Sequence, residues 1–158
     1  MLSLSTCLIV NFSKKTKTNM KRRILYVDDD HDDFQLLEKA FHDVDANIEL
    51  ISVANGYDTI KFLQNSDEEN FPSLILMDIN MPVMDGKETA RLLQLDDKFK
   101  EIPVIFFSTS ASPFDKKLIE KTGSELITKP SLYEEWLAIA RKLAQLYSFI
   151  FLYSAICR

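Results

Sequence analysis

Two cysteines, Cys7 and Cys157, are all that this 158-residue chain contains, and they stand near its opposite ends. That placement makes neither a disulfide framework nor a metal-ligand spacing, and it fits a reducing, cytoplasmic setting. The chain also has no apolar stretch near the roughly 20 residues that a membrane span needs. Its opening segment, MLSLSTCLIVNF, carries positive charge after the apolar residues, opposite to the order in a secretory leader. Met20, just before KRRILYVDDD, is an alternative start. Basic residues are scarce where nucleic-acid binding would need them. Six of the 19 lie among the first 23 residues, which hold no acid, so the rest carries 13 against 24 acids, a net of −11. An acidic body of that kind does not bind a phosphate backbone. No internal repeat, interdomain linker or helix-turn-helix pattern is present. The two histidines, His31 and His42, are expected to be solvated helix residues.

What remains is ordinary for a single soluble domain, with 46% apolar and 27% charged residues. Five short aliphatic runs recur at 23–27, 48–54, 73–78, 102–108 and 125–128, and three are continuously apolar, as strands covered on both faces are. Between them the apolar spacing turns helical. Phe34, Leu37, Phe41 and Val44 share one face of the first helix, Ile60 and Leu63 continue the pattern in the second, and Leu132, Trp136, Ile139, Leu143 and Leu146 line the last. Five βα units predict a doubly wound parallel α/β sheet, and the order 2-1-3-4-5 places the more polar second strand at an edge. The acidic segment QNSDEENFP is expected to be a solvated loop before the third strand.

Ligands of such sheets bind outside the carboxyl ends of the strands. Those ends carry Asp28 and Asp29, Asp78, Ser108 and, just past the fifth strand, Lys129. Three acids, a hydroxyl and an ammonium around one crevice suit a hard divalent cation such as Mg²⁺, which takes a few carboxylates together with waters and phosphate oxygens. The other acids of the run DDDHDD have local explanations. Asp30 stands where the first helix would be capped, and Asp32 and Asp33 fall in its first turn, where the helix dipole favours anions. A calcium loop of the EF-hand type starting at Asp28 is excluded, because Asp33 and Lys39 occupy the positions that need Gly and Glu.

ILYVDDD, LILMDINMPVMDG, IPVIFFSTS and GSELITKPS, in this order, resemble the four signatures of the receiver domain of two-component response regulators, over roughly residues 22–147. The resemblance implies a flavodoxin-like fold. It further implies that Asp78 is the phosphoacceptor for a phosphohistidine on a sensor histidine kinase or phosphotransfer protein. It makes Asp28, Asp29, Asp78 and the backbone carbonyl of Asn80 the Mg²⁺ ligands. Ser108 and Lys129 then contact phosphoryl oxygens. On this view the chain is no turnover enzyme on a small substrate but a phosphoacceptor that signals through a protein-binding surface on its last helices, without an output domain of its own. The family's usual aromatic residue three positions before the lysine is Leu126 here, which puts its hydroxyl-to-aromatic coupling in question.

Residues 1–21 are expected to form a disordered basic extension, and 148–158 an apolar continuation of the last helix or a tail. On a continued helix, Tyr133, Leu137, Ala140, Ala144, Tyr147 and Phe151 make a second apolar stripe that one sheet cannot cover together with the first, which points to a partner or homodimer surface. Two other readings stand beside the signalling switch. One is a receiver-fold adaptor that binds without phosphorylation. The other is a phosphatase of the haloacid dehalogenase type, against which Asn80 stands where a second acid belongs.

Overall fold

The computed structural model describes residues 22–110 and 112–156, the last ten of them as helix backbone alone. Strands β1 (Arg22–Val27), β2 (Ile48–Val53), β3 (Leu74–Met77), β4 (Val104–Ser108) and β5 (Glu125–Thr128) alternate with helices α1 (His31–Val44), α2 (Gly56–Gln64), α3 (Gly86–Leu95), α4 (Pro113–Thr122) and α5 (Tyr133–Ile156). All strands pair in parallel in the order β2-β1-β3-β4-β5, as the sequence predicts. The segment before β3 is exposed over residues 67–70, with one short 3₁₀ turn, Glu68–Asn70, but contrary to expectation its end is not solvated, since Phe71 packs against the core beside Phe99 and Pro72 is buried.

Alternation along the central strands sends side chains into two apolar layers. Ile24, Tyr26, Leu76 and Phe107 face α1 and α5, where Leu37, Phe41, Trp136 and Leu143 meet them. Leu25, Val27, Ile75, Met77 and Phe106 face α2, α3 and α4, where Leu63, Leu93 and Ile119 close the layer. The edge-on contact of Phe107 and Trp136, 5.4 Å between ring centroids, is of the kind that aromatic quadrupoles favour.

Two expectations about α5 need correction. Leu132 precedes the helix and is 62% exposed, because the Glu135 carboxylate accepts from the Ser131 and Leu132 N–H groups and the helix starts one residue later. The second stripe is also covered as far as its side chains are described. Ala140 and Ala144 are buried, and Tyr133 and Leu137 pack on the same core, because α5 lies against α1 as well as against the sheet. A helix in such a groove buries a wider face than one on a flat sheet. Tyr147 and Phe151 have no described side chains, and the 1–21 extension lies outside the described residues.

Candidate functional site

β1 and β3 are neighbours in the sheet, so their ends lie side by side. The Asp28 N–H donates to Val53 and the Asp78 N–H to Val27, which continues the ladder one residue beyond each strand. Carboxylate oxygens of Asp28, Asp29 and Asp78 consequently lie within 4.8 Å of one another. Behind Asp78 the chain turns back at Gly86, whose N–H donates to the Ile79 carbonyl at 3.0 Å. A Cβ on Gly86 would fall 2.1 Å from the Asp78 carbonyl oxygen, so only glycine allows the two backbones to come so close. In the same loop Val83 holds a positive φ of 69°, a conformation that costs a β-branched residue about 1 kcal/mol or more.

β4 and β5 bring the other groups. Ser108 is buried at the end of β4, with its Oγ donating to the Ser110 carbonyl at 3.2 Å. The Lys129 N–H donates to the Ser108 carbonyl, which places the lysine at the mouth of the crevice. Asn80 is exposed, and its Nδ2 makes a long 3.4 Å contact to the Ser110 carbonyl, tying the β3–α3 loop to the β4–α4 loop.

Lys129 is the local counter-charge. Its Nζ pairs with Asp28, lies 3.0 Å from Asp33 and stands 4.0 Å from Asp78, with only 5% of the side chain exposed. Burial pulls its pKa down, but hydrogen bonds to Asp28 and Asp33 and the Asp28 and Asp78 charges outweigh burial and leave it raised. Asp28 is the most heavily engaged acid. Its Oδ2 accepts from the Tyr26 hydroxyl at 2.5 Å, and its Oδ1 accepts from the Asp30 N–H at 3.0 Å. Burial, with this hydrogen bond and the acids around it, pushes the Tyr26 hydroxyl far above the ordinary tyrosine range, so it stays a donor.

Four of the five strand-end groups named from the sequence, Asp28, Asp29, Asp78 and Lys129, are therefore brought together, and Ser108 ends β4, where its carbonyl holds the Lys129 backbone. Asp30 caps α1, accepting from the Asp32 and Asp33 N–H groups. Two participants were missed. Tyr26 looks like a core residue, and only the run of β1 brings its hydroxyl under Asp28. Asp33 looks like a helix-dipole acid, and the available signal was its place in the first turn of α1, where side chains tilt back toward the helix start and hence toward the end of β1. Leu126, in place of an aromatic, packs on the layer beneath α2 to α4.

The donor set fits a hard divalent cation. Oxygens from several carboxylates, with neither thiolate nor imidazole, favour Mg²⁺ or Mn²⁺. Among the described residues, the three grouped acids outnumber the Lys129 ammonium that pairs with them, so a cation has unbalanced charge to meet.

The model of the response regulator receiver domain matches residues 24–141, and the chain belongs to that family. It is 31% identical over 126 residues to the sensor histidine kinase CheAY of Helicobacter pylori, covering 77% of this chain but 15% of that protein. It is 33% identical over 102 residues to the response regulator Rcp1 of Synechocystis, covering 63% of this chain and 69% of that protein. The structure of Rcp1 in its Mn²⁺-bound form superposes with a TM-score of 0.70 at 25% identity, over 80% of this chain and 94% of that one. The phosphorylated cyanobacterial phytochrome response regulator RcpA superposes with a TM-score of 0.69 at 27% identity, over 77% and 90%. Receiver domains of this family are signalling proteins rather than turnover enzymes on small substrates. Among the described residues, no helix is long and apolar enough to cross a membrane.

Proposed function

We infer that the chain is a phosphoacceptor response regulator, taking a phosphoryl group on Asp78 from a histidine kinase or phosphotransfer protein with Mg²⁺ in the acidic crevice. The observation that carries this reading is the grouping of Asp28, Asp29 and Asp78 within 4.8 Å, with Lys129 4.0 Å from Asp78. In this reading an Asp78 oxygen attacks phosphorus, an O–P bond forms, and the donor's P–N bond breaks with its electron pair leaving on the donor. Asp28, Asp29, Asp78 and the Asn80 carbonyl would hold Mg²⁺, which when bound supplies positive charge beside the transferring oxygens. Lys129 offers its ammonium to a second phosphoryl oxygen, and the Ser108 hydroxyl donates to a third. Phosphoryl transfer asks mainly for such positioning and charge stabilisation.

Downstream, the reading assigns output to a protein that docks on the last helices of a cytoplasmic domain. Phe114 on α4 is 73% exposed and Leu118 is 38% exposed, which gives this side apolar anchors beside the β4–α4 loop.

The test is intact-protein mass after incubation with acetyl phosphate, with and without Mg²⁺. The reading predicts one Mg²⁺-dependent, base-labile phosphoryl adduct on the wild type and none on Asp78→Asn. An adduct that persists in the variant would assign the acceptor elsewhere. Partner binding indifferent to the adduct would favour the phosphorylation-independent adaptor.

A further inference from the structure

We propose that Asp33 is a positioning residue that keeps the Lys129 ammonium on the α1 side of the crevice, away from Asp78, until a phosphoryl group arrives. The proposal rests on the phosphoacceptor reading above and adds a competing anion to it.

An ammonium has three donor hydrogens and a strong preference for the nearest anions. Lys129 has spent two on Asp28 and Asp33, the latter at 3.0 Å, whereas Asp78 lies at 4.0 Å, beyond hydrogen-bond reach. Asp33 is 20% exposed and Lys129 5%, so water weakens their attraction far less than it weakens a surface pair. The position of Asp33 is set by α1. Its N–H donates to the Asp30 cap, and the first turn then turns its carboxylate toward the end of β1. Asp32, its neighbour in the same turn, is exposed and bonds through its own N–H to the same cap.

The two anions that hold Lys129 differ in freedom. Asp28 is buried and fixed by Tyr26 and by the Asp30 N–H. Asp33 is held by its helix alone, so the pair it makes is the one that can open. When the Asp78 oxygen bonds to phosphorus and the donor departs with its electron pair, the new phosphoryl oxygens compete with Asp33 for the ammonium. The Asp33 contact therefore opposes the phosphorylated state, and neutralising Asp33 favours it.

Beryllofluoride with saturating Mg²⁺, which mimics the aspartyl phosphate, gives a binding readout by calorimetry. Asp33→Asn is expected to bind it on the order of fivefold tighter than wild type, while Asp32→Asn, which removes the same charge from the same turn, changes affinity by less than about twofold. In a Lys129→Met background, the Asp33→Asn gain disappears. Equal affinities for Asp33→Asn and Asp32→Asn, weaker binding by Asp33→Asn, or a gain that survives in the Lys129→Met background would each overturn the proposal. A wild type that binds no beryllofluoride and takes no phosphoryl group would instead overturn the phosphoacceptor reading, and the role of Asp33 with it.

Discussion

At the amino ends of the strands, Arg22 pairs with Asp45 at 2.5 Å, Arg23 with Glu49 at 2.7 Å, and Lys142 with Glu125 at 2.5 Å. At the carboxyl ends Asp28, Asp33 and Asp78 share Lys129, with Asp29 close beside them. One end matches each of these acids with its own cation, and the other leaves an excess of anions. Two like charges about 4 Å apart cost roughly 4 kcal/mol at an effective dielectric near 20, so the carboxyl end stores repulsion that the amino end avoids. Paired charges fasten strands to their neighbouring loops and helices. Excess charge of one sign, held on strand ends, makes a binding site that a cation relieves.

The backbone beneath that excess is the most sensitive point. Gly86→Ala places a Cβ 2.1 Å from the Asp78 carbonyl oxygen, against backbone that cannot step aside. We expect a loss of about 4 kcal/mol in urea unfolding, together with loss of phosphorylation in whatever fraction still folds.

Next is the Lys129 ammonium. Lys129→Met leaves the buried Asp28 and its neighbouring acids without their counter-charge and should cost about 3 kcal/mol without metal, with Mg²⁺ restoring part of the loss. Arg22→Met at the opposite end removes one part-exposed pair and should cost about 1 kcal/mol or less, with no response to Mg²⁺.

The smallest effect concerns the link between α3 and α4. Asp115 pairs with Lys87 at 2.8 Å and accepts from Ser112, and these contacts lower its pKa from 3.8 to about 2. A depressed carboxyl pKa stabilises the fold above the unfolded value, and that contribution fades as pH falls toward the folded one. Lys87→Met should therefore lower the melting temperature by a degree or two near neutral pH, with the gap to wild type closing between about pH 4 and pH 2.

Much of this is legible in the amino-acid sequence. Continuous apolar runs mark strands covered on both faces, and the first polar residues after the two adjacent runs of β1 and β3 mark the crevice, which is why Asp28 and Asp78 fall together. Asp30 was legible as a cap because its reach is local. Asp33 was not, since its partner lies far along the chain and its first-turn position already had a sufficient cause in the helix dipole. The second stripe of α5 looked uncovered because sequence periodicity shows a helix's face but not how many neighbours it meets. Here α5 packs on α1 as well as on the sheet, and Ala140 and Ala144 are buried in the layer they share. Leu132 is read onto the apolar face of α5 for a similar reason, although the helix begins at Tyr133. Leu132 keeps the apolar period, but the Glu135 carboxylate caps the turn after it.

Thermal unfolding of wild type and Asp29→Asn across a Mg²⁺ titration tests most directly whether the carboxyl end holds an unmet need for a cation. Asp29 is exposed and takes no part in the core, so removing its charge relieves repulsion without opening a cavity. The account predicts that Mg²⁺ well above its dissociation constant raises the wild-type midpoint by about 3–5 °C. It also predicts that Asp29→Asn melts above wild type without metal and hardly responds to Mg²⁺. A wild-type midpoint unmoved by Mg²⁺, or a variant that gains as much from it as the wild type does, would contradict the account.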